Sequence, residues 1–145
     1  MNNSFNMTIP ATSANESFAR ATVAAFASQL DPTIEEISDI KTAVSEAVTN
    51  CIVHAYEKGM GKIYISAELL QNSGIKIKIR DKGKGIENVE KAMEPLFTTV
   101  GGERACLGFA VMMSFMDSVK VRSVMGKGTS ITMVKKISRR FNING

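Results

Sequence analysis

The sequence predicts an α+β fold: a two-layer α/β sandwich in which one mixed, mostly antiparallel sheet carries helices on a single face. Two patterns and an element order predict it. Apolar residues at Ile34, Ile37, Ile40, Val44, Ala47, Val48, Cys51, Ile52 and Ala55 hold a helical period over roughly six turns. Ile63, Ile65, Ala67 and Leu69, then Ile75, Ile77 and Ile79, alternate with polar residues at the period of a strand. The elements run strand, two helices, two strands, a loop with a helix, and two final strands.

A first strand spans about 4–9. Ser13-Ala-Asn-Glu16 has the form of a capping box and opens a helix to about Leu30. Helix restarts at Asp31-Pro32-Thr33, where Pro32 suits a first turn and Thr33 with Glu36 forms a second capping box. It ends near Gly59, a natural left-handed cap. Gln71-Asn-Ser-Gly74 then turns a hairpin with one wet and one buried face. Ala105 to Met116 is apolar nearly all round and reads as a largely buried helix, its clustered methionines (Met112, Met113, Met116) filling core volume. Strands at about 118–123 and 128–137 follow, with Gly126 and Gly128 at their turn.

The chain has 145 residues, enough for one domain over 1–145 with a real core, the last roughly eight residues forming a tail. No apolar run approaches a membrane span, and MNNSFNMTIPATS lacks the basic start and apolar block of a secretion signal, so a cytoplasmic location is expected. A net charge of +4 raises the question of nucleic acid. The cations are scattered, however: Lys76, Lys78 and Arg80 share a strand face, and Arg139 and Arg140 sit in the tail. A solvated surface is the reading, with no direct nucleic-acid or membrane partner. Cys51 and Cys106 fit no metal-ligand spacing and read as reduced thiols.

Glu46, Asn50 and His54 stand at i, i+4 and i+8 of the long helix, stacked along one stripe about 6 Å apart per step. They flank the apolar stripe, where a pocket can open. A carboxylate and an amide oxygen so placed can share a hard cation and its water shell. Asp81-Lys-Gly83-Lys-Gly85 sets a carboxylate at a strand end running into a glycine-bearing loop. Strand parity (75, 77, 79, 81) puts Asp81 on the buried side, where it needs a donor: a backbone amide, or a ligand's amino group. Thr129 shares inward parity with Ile131 and Met133. The bland readings differ by residue. His54 reads as a satisfied core-edge side chain, Lys84 as a solvated loop cation, and Cys106 as a tolerated substitution.

Taken together these boxes resemble the Bergerat-fold ATPases, the superfamily of gyrase, the histidine kinases and MutL. The resemblance rests on Glu46/Asn50, Asp81/Gly83/Gly85, the segment ending at Gly108, and Gly128-Thr129. Asn15-Glu-Ser-Phe-Ala-Arg20, Gln29-Leu-Asp-Pro-Thr33, Ser45-Glu-Ala-Val-Thr-Asn50 and Glu94-Pro-Leu-Phe-Thr-Thr99 resemble one branch of it more closely, the anti-sigma F factors of endospore-forming bacteria. The resemblance implies a serine-protein kinase that holds sigma factor F, phosphorylates a serine of an anti-anti-sigma antagonist and works as a homodimer. It implies ATP and Mg2+ as cofactors, Glu46 as catalytic base, and Asn50 as magnesium ligand. Asp81 would accept from the adenine amino group with Thr129 assisting, and Gly83 and Gly85 would let backbone approach the nucleotide. Residues from about 86 to 108 would form a lid with Thr98, Thr99 and Arg104 near the phosphates, and Gly108 would close the second glycine box. Arg20 would contact the sigma factor and the antagonist.

The chain departs from the branch in that second box. Arg104-Ala-Cys106-Leu-Gly108-Phe109 stands where the branch shows R-S-G-x-G-F, the lid is one residue shorter, and Val100 replaces a lysine. A nucleotide-gated binding module with little transfer activity is therefore one alternative, and the kinase of the general-stress sigma switch is another. An ATPase or histidine kinase fragment is disfavoured, because such proteins carry a further dimerisation or transducer domain. No Walker A pattern is present, which excludes a P-loop enzyme.

Overall fold

The computed structural model describes residues 3–56, 60–94 and 107–138. Strand β1 (Asn3–Pro10) leads into helix α1 (Ala14–Ala27), a short 3-10 turn at Ser28–Leu30, and helix α2 (Ile34–Thr49), which continues as a π-helical turn over Asn50–Ala55. Strands β2 (Lys62–Leu69) and β3 (Gly74–Asp81) form the hairpin. Two short helices, α3 (Val89–Ala92) and α4 (Phe109–Phe115), precede β4 (Ser118–Val124) and β5 (Gly128–Lys136).

The strands lie in the order β1-β2-β3-β5-β4. Every neighbouring pair is antiparallel, so the sheet is not mixed. The inward positions Ile63, Ile65, Ile75, Ile77, Ile79, Ile131 and Met133 join one core with Ala19, Val23, Val44 and Val48 of α1 and α2. Lys76, Lys78 and Arg80 alternate with these and are exposed, as are Lys120 and Arg122 on β4. The helices therefore cover one face and leave the other wet, the two-layer arrangement that the alternation predicts.

Local signals fare differently at the two helix starts. Thr33 caps α2: its hydroxyl accepts from the Glu36 amide at 3.0 Å, and the Glu36 carboxylate accepts from the Thr33 amide at 2.9 Å. Pro32 lies just outside this cap rather than in the first turn. Ser13 makes no side-chain cap. Glu16 is drawn away from it, accepting the Ser45 hydroxyl of α2 and pairing with Arg20 at 3.6 Å. That carboxylate clamps α1 to α2 instead of closing its own helix start.

Two further expectations change. The long helix does not run on to Gly59, which lies outside the described residues. It leaves helical geometry at Tyr56, whose backbone is extended (φ −111°, ψ 97°). The last helix is shorter than Ala105–Met116 and starts only after Gly108, with 105 and 106 outside the described residues. It is buried on one side through Phe109 and Met112, while Met113 is 41% exposed, so not all its methionines fill core.

Glu36 also accepts the amide and hydroxyl of Ser138, tying the start of α2 to the end of β5. Burial pushes the Glu36 carboxyl up, but the bonds from Ser138 and Thr33 outweigh it and hold the group below its ordinary 4.5. Because the folded pKa is depressed, this contribution to stability is present above pH 4.5 and is lost as pH falls through the lowered value. Thr33→Ala is expected to cost about 1 kcal/mol, the usual worth of a cap. Urea unfolding at pH 7 measures it, and an unchanged midpoint would show that the cap contributes nothing.

Candidate functional site

Burying a polar group is unfavourable without a partner, so polar side chains inside a core mark a requirement other than packing. Among the described residues, the buried polar or charged side chains are Asn50, Asp81 and Thr129, at 9%, 6% and 8% exposure. They come from α2, β3 and β5, far apart in sequence. All three line one pocket of about 290 Å³, together with His54, Lys84 and Phe109. A mostly apolar cleft with a few convergent polar groups is what a small-molecule site requires.

Asp81 ends β3 on its inward side. Its Oδ1 accepts the backbone amides of Gly83 at 2.9 Å and Thr129 at 3.2 Å, and its Oδ2 lies 3.7 Å from the Cys51 thiol. Burial pushes the carboxyl above its ordinary 3.8, against the pull of those three donors. Burial and the neighbouring Asp81 charge push the Cys51 thiol well up, so it stays protonated and serves as a donor. Both alternatives for Asp81's partner are thus compatible: two backbone amides satisfy one oxygen, and the residue still faces the pocket.

The Thr129 hydroxyl pairs with the Ser123 hydroxyl of β4 at 2.8 Å. Ser123 in turn accepts the Ile86 amide at 2.8 Å, fixing the start of the loop after β3 against the β4–β5 hairpin. The sequence reading missed Ser123, although strand parity marks it: 119, 121 and 123 alternate inward, and Ser123 faces Thr129 in the register.

The π-helical turn carries Asn50 and His54 into the pocket wall. It is held from outside the helix. The Ala55 carbonyl accepts the Lys84 amide at 2.9 Å. The Tyr56 hydroxyl accepts the Lys82 amide and donates to the Lys62 carbonyl, both at 2.7 Å. π-turns within α-helices are frequent at functional sites. His54 is partly buried, and burial, then the Lys84 charge, lowers its pKa below 6.5. It is therefore a neutral wall of the pocket near pH 7 and not only a core-edge side chain.

Asn50 donates its Nδ2 to the Leu107 carbonyl at 2.7 Å. That bond orients the amide and assigns its other polar atom, Oδ1, to the acceptor role. Among the described residues no group of three His, Cys, Asp or Glu side chains could enclose a metal. One neutral oxygen donor fits magnesium held jointly with phosphates and water, and does not fit a protein-only cage.

Glu46, one turn earlier, is half-buried and lies behind Gly108 instead of in the pocket wall. Gly108 takes the left-handed conformation (φ 69°), and a Cβ there would come within 2.2 Å of Glu46 Oε1. Gly108 thus holds a position in the second glycine box that a side chain would not fit. Gly83 is constrained by proximity: a Cβ would stand 2.3 Å from the Ala55 carbonyl oxygen. Gly85 and Lys84 line the pocket. Arg20 sits on α1, held by Glu16, away from it. Thr98, Thr99, Val100, Arg104 and Cys106 lie outside the described residues.

Comparison with known proteins places the chain in a family. The family model described as "Histidine kinase-like ATPase domain" matches residues 9–135. An anti-sigma F factor from Caldanaerobacter subterraneus is 61% identical over 139 residues, covering 95% of this chain and 96% of its own. One from Clostridium acetobutylicum is 54% identical with the same coverage, and one from Anoxybacillus flavithermus is 49% identical, covering 96% of both chains. Among solved structures, the RsbU and RsbW domains of a Mycobacterium tuberculosis protein superpose with a TM-score of 0.70 at 20% identity, covering 94% of this chain and 33% of that one. The catalytic domain of the histidine kinase ThkA superposes at 0.55 and 19% identity, covering 70% of this chain and 68% of that one. The structural likenesses bear on the fold alone. Among the described residues no helix is long and apolar enough to cross a membrane.

Gly83→Ala is expected to destabilise the fold by about 1–3 kcal/mol, the range for forcing an atom into a packed site. Thermal unfolding without ligand measures this, and an unchanged melting temperature would refute the close approach of the loop to Ala55.

Proposed function

The chain belongs to the histidine kinase-like ATPase family and, within it, to the anti-sigma F factors, and from that premise we propose that it binds and inhibits sigma factor F and, using Mg-ATP, phosphorylates a serine of its anti-anti-sigma antagonist. One observation carries the reading: the three buried polar side chains, Asn50, Asp81 and Thr129, converge on one apolar pocket.

In this reading Asp81 accepts a hydrogen bond from the adenine amino group, with Thr129 beside it. The base packs among Ile131, Phe109 and Met125. Gly83 and Gly85 bring backbone to the nucleotide without a side chain between. Asn50 would hold magnesium through Oδ1. When bound, that ion neutralises and orients the phosphates, which with positioning accounts for most of phosphoryl-transfer catalysis. Glu46 accepts the proton of the attacking serine hydroxyl as its oxygen bonds to the γ-phosphorus and ADP departs. Thr98, Thr99, Arg104 and Gly108 serve the phosphate end, and Arg20 on α1 serves the two protein partners. The proposal includes a homodimer, sporulation as the setting, a cytoplasmic location and a single domain over 1–145.

The family name on the relatives fits this reading, and their coverage of nearly the full chain favours the same domain plan. The defining measurement is transfer of labelled γ-phosphate from ATP to the antagonist protein. Wild type is expected to transfer and Glu46→Gln to lose transfer while retaining ATP binding. No transfer by the wild type, with ATP and sigma binding intact, would establish the nucleotide-gated module instead, the reading that Cys106 in the second glycine box favours.

Asn50→Ala is expected to abolish Mg-dependent ATP binding with the fold intact, and unchanged affinity in a calorimetric titration would sink the magnesium assignment. ATP affinity is also expected to depend on pH through Asp81. The adenine amino group needs the ionised carboxylate, and burial has raised its pKa above 3.8. Affinity should therefore weaken as pH falls through that raised value. A flat profile through the titration of Asp81 would exclude its contact with the base.

A further inference from the structure

The wall behind Asp81 contains one group that the proposed chemistry does not use. Cys51 is 1% exposed, and it is absent from the pocket lining, so it touches no ligand directly. Its single S–H proton has two acceptors within reach, the Ala47 carbonyl at 3.6 Å and Asp81 Oδ2 at 3.7 Å. An ionised carboxylate is the stronger acceptor of the two. Asp81 Oδ1 is already occupied by the amides of Gly83 and Thr129. The remaining capacity for a ligand's donor therefore lies on Oδ2, the oxygen that the thiol addresses.

We propose that Cys51 is a specificity-determining positioning residue: its thiol donates to Asp81 Oδ2 and holds that carboxylate as an acceptor, so that the pocket selects a 6-amino purine over a 6-oxo purine. This rests on the reading that Asp81 meets the purine edge.

The physical argument concerns the proton that Asp81 does or does not carry. Adenine presents an N–H donor at position 6, which pairs with a carboxylate. Hypoxanthine presents a carbonyl oxygen there, which a carboxylate repels and a neutral carboxyl group can hydrogen-bond. Burial favours the neutral form of Asp81, and each donor aimed at the carboxylate opposes it. The two amides come from backbone and persist in any folded variant. The thiol is the side-chain donor of the set, and therefore the one that substitution can remove. Without it the balance moves toward the form that tolerates inosine triphosphate.

The test is calorimetric binding of ATP and of inosine triphosphate, each with magnesium, to the full chain as wild type, Cys51→Ala and Cys51→Ser. Melting temperatures of all three report whether they fold. Wild type is expected to prefer ATP. Cys51→Ala should narrow the ratio of the two affinities on the order of fivefold, the worth of one ordinary hydrogen bond. Cys51→Ser, which keeps a donor, should preserve the ratio. A ratio unchanged in Cys51→Ala overturns the proposal, as does an equal loss in both variants, which would assign the effect to packing. A wild type that binds both nucleotides equally would instead overturn the contact between Asp81 and the base.

Discussion

A carboxylate cannot be buried at the end of an interior strand unless its oxygens are supplied with donors, and the way Asp81 meets that condition organises the whole site. One amide comes from Gly83, two residues on, and curls the chain back over the strand end. The other comes from Thr129 on the neighbouring strand, so the same oxygen fixes the β3–β5 register where the pocket opens. Cys51 reaches the second oxygen from the helical layer. One side chain thus gathers the loop, the sheet and the long helix, and the pocket is the space between them that no side chain fills.

The loop after β3 follows from that condition. Having turned back at Gly83, the chain passes so close to Ala55 that no side chain fits, and the Lys84 amide takes the Ala55 carbonyl. That carbonyl ends the helix, which widens by a π-turn before stopping at Tyr56. The Tyr56 hydroxyl then bridges Lys62 and Lys82 across the start of β2 and the end of β3. Beyond the loop, Ser123 holds Ile86 and Thr129 together. The Asp81 end of the pocket is held by backbone contacts and small hydroxyls, groups with little rotameric freedom to lose on binding a ligand.

Where a signal is local, the sequence carried it. The Thr33–Glu36 box closes within one turn, and strand parity places Asp81 and Thr129 inward because a side-chain period of two admits no other face. Where the deciding partner is distant, the pattern misleads. Ser13 and Glu16 have the same spacing as Thr33 and Glu36, yet Ser45 and Arg20 claim Glu16 and the box does not form. The helix pattern continues through Ala55 without hint of a π-turn, whose last carbonyl is taken by the Lys84 amide of a loop distant in sequence. Asn50 and Thr129 were legible as residues bordering a pocket. The Leu107 carbonyl that orients Asn50 was not, since a backbone atom has no sequence signature.

The long helix does more than display Glu46 and Asn50. Asn50 is oriented by Leu107, and Glu46 is packed against the backbone of Gly108, so the two residues before α4 bear directly on both of these side chains. Five residues beyond Asn50, at Ala55, the same helix meets the Gly83–Lys84 loop through its π-turn, and between the two contacts Cys51 touches Asp81. The ends of the pocket therefore share a wall, the six-residue π-helical turn Asn50–Ala55. A displacement of Leu107 must move Asn50 or break the bond between them. The Leu107 end and the Asp81 end of the pocket are for this reason joined through one helical segment, Asn50–Ala55.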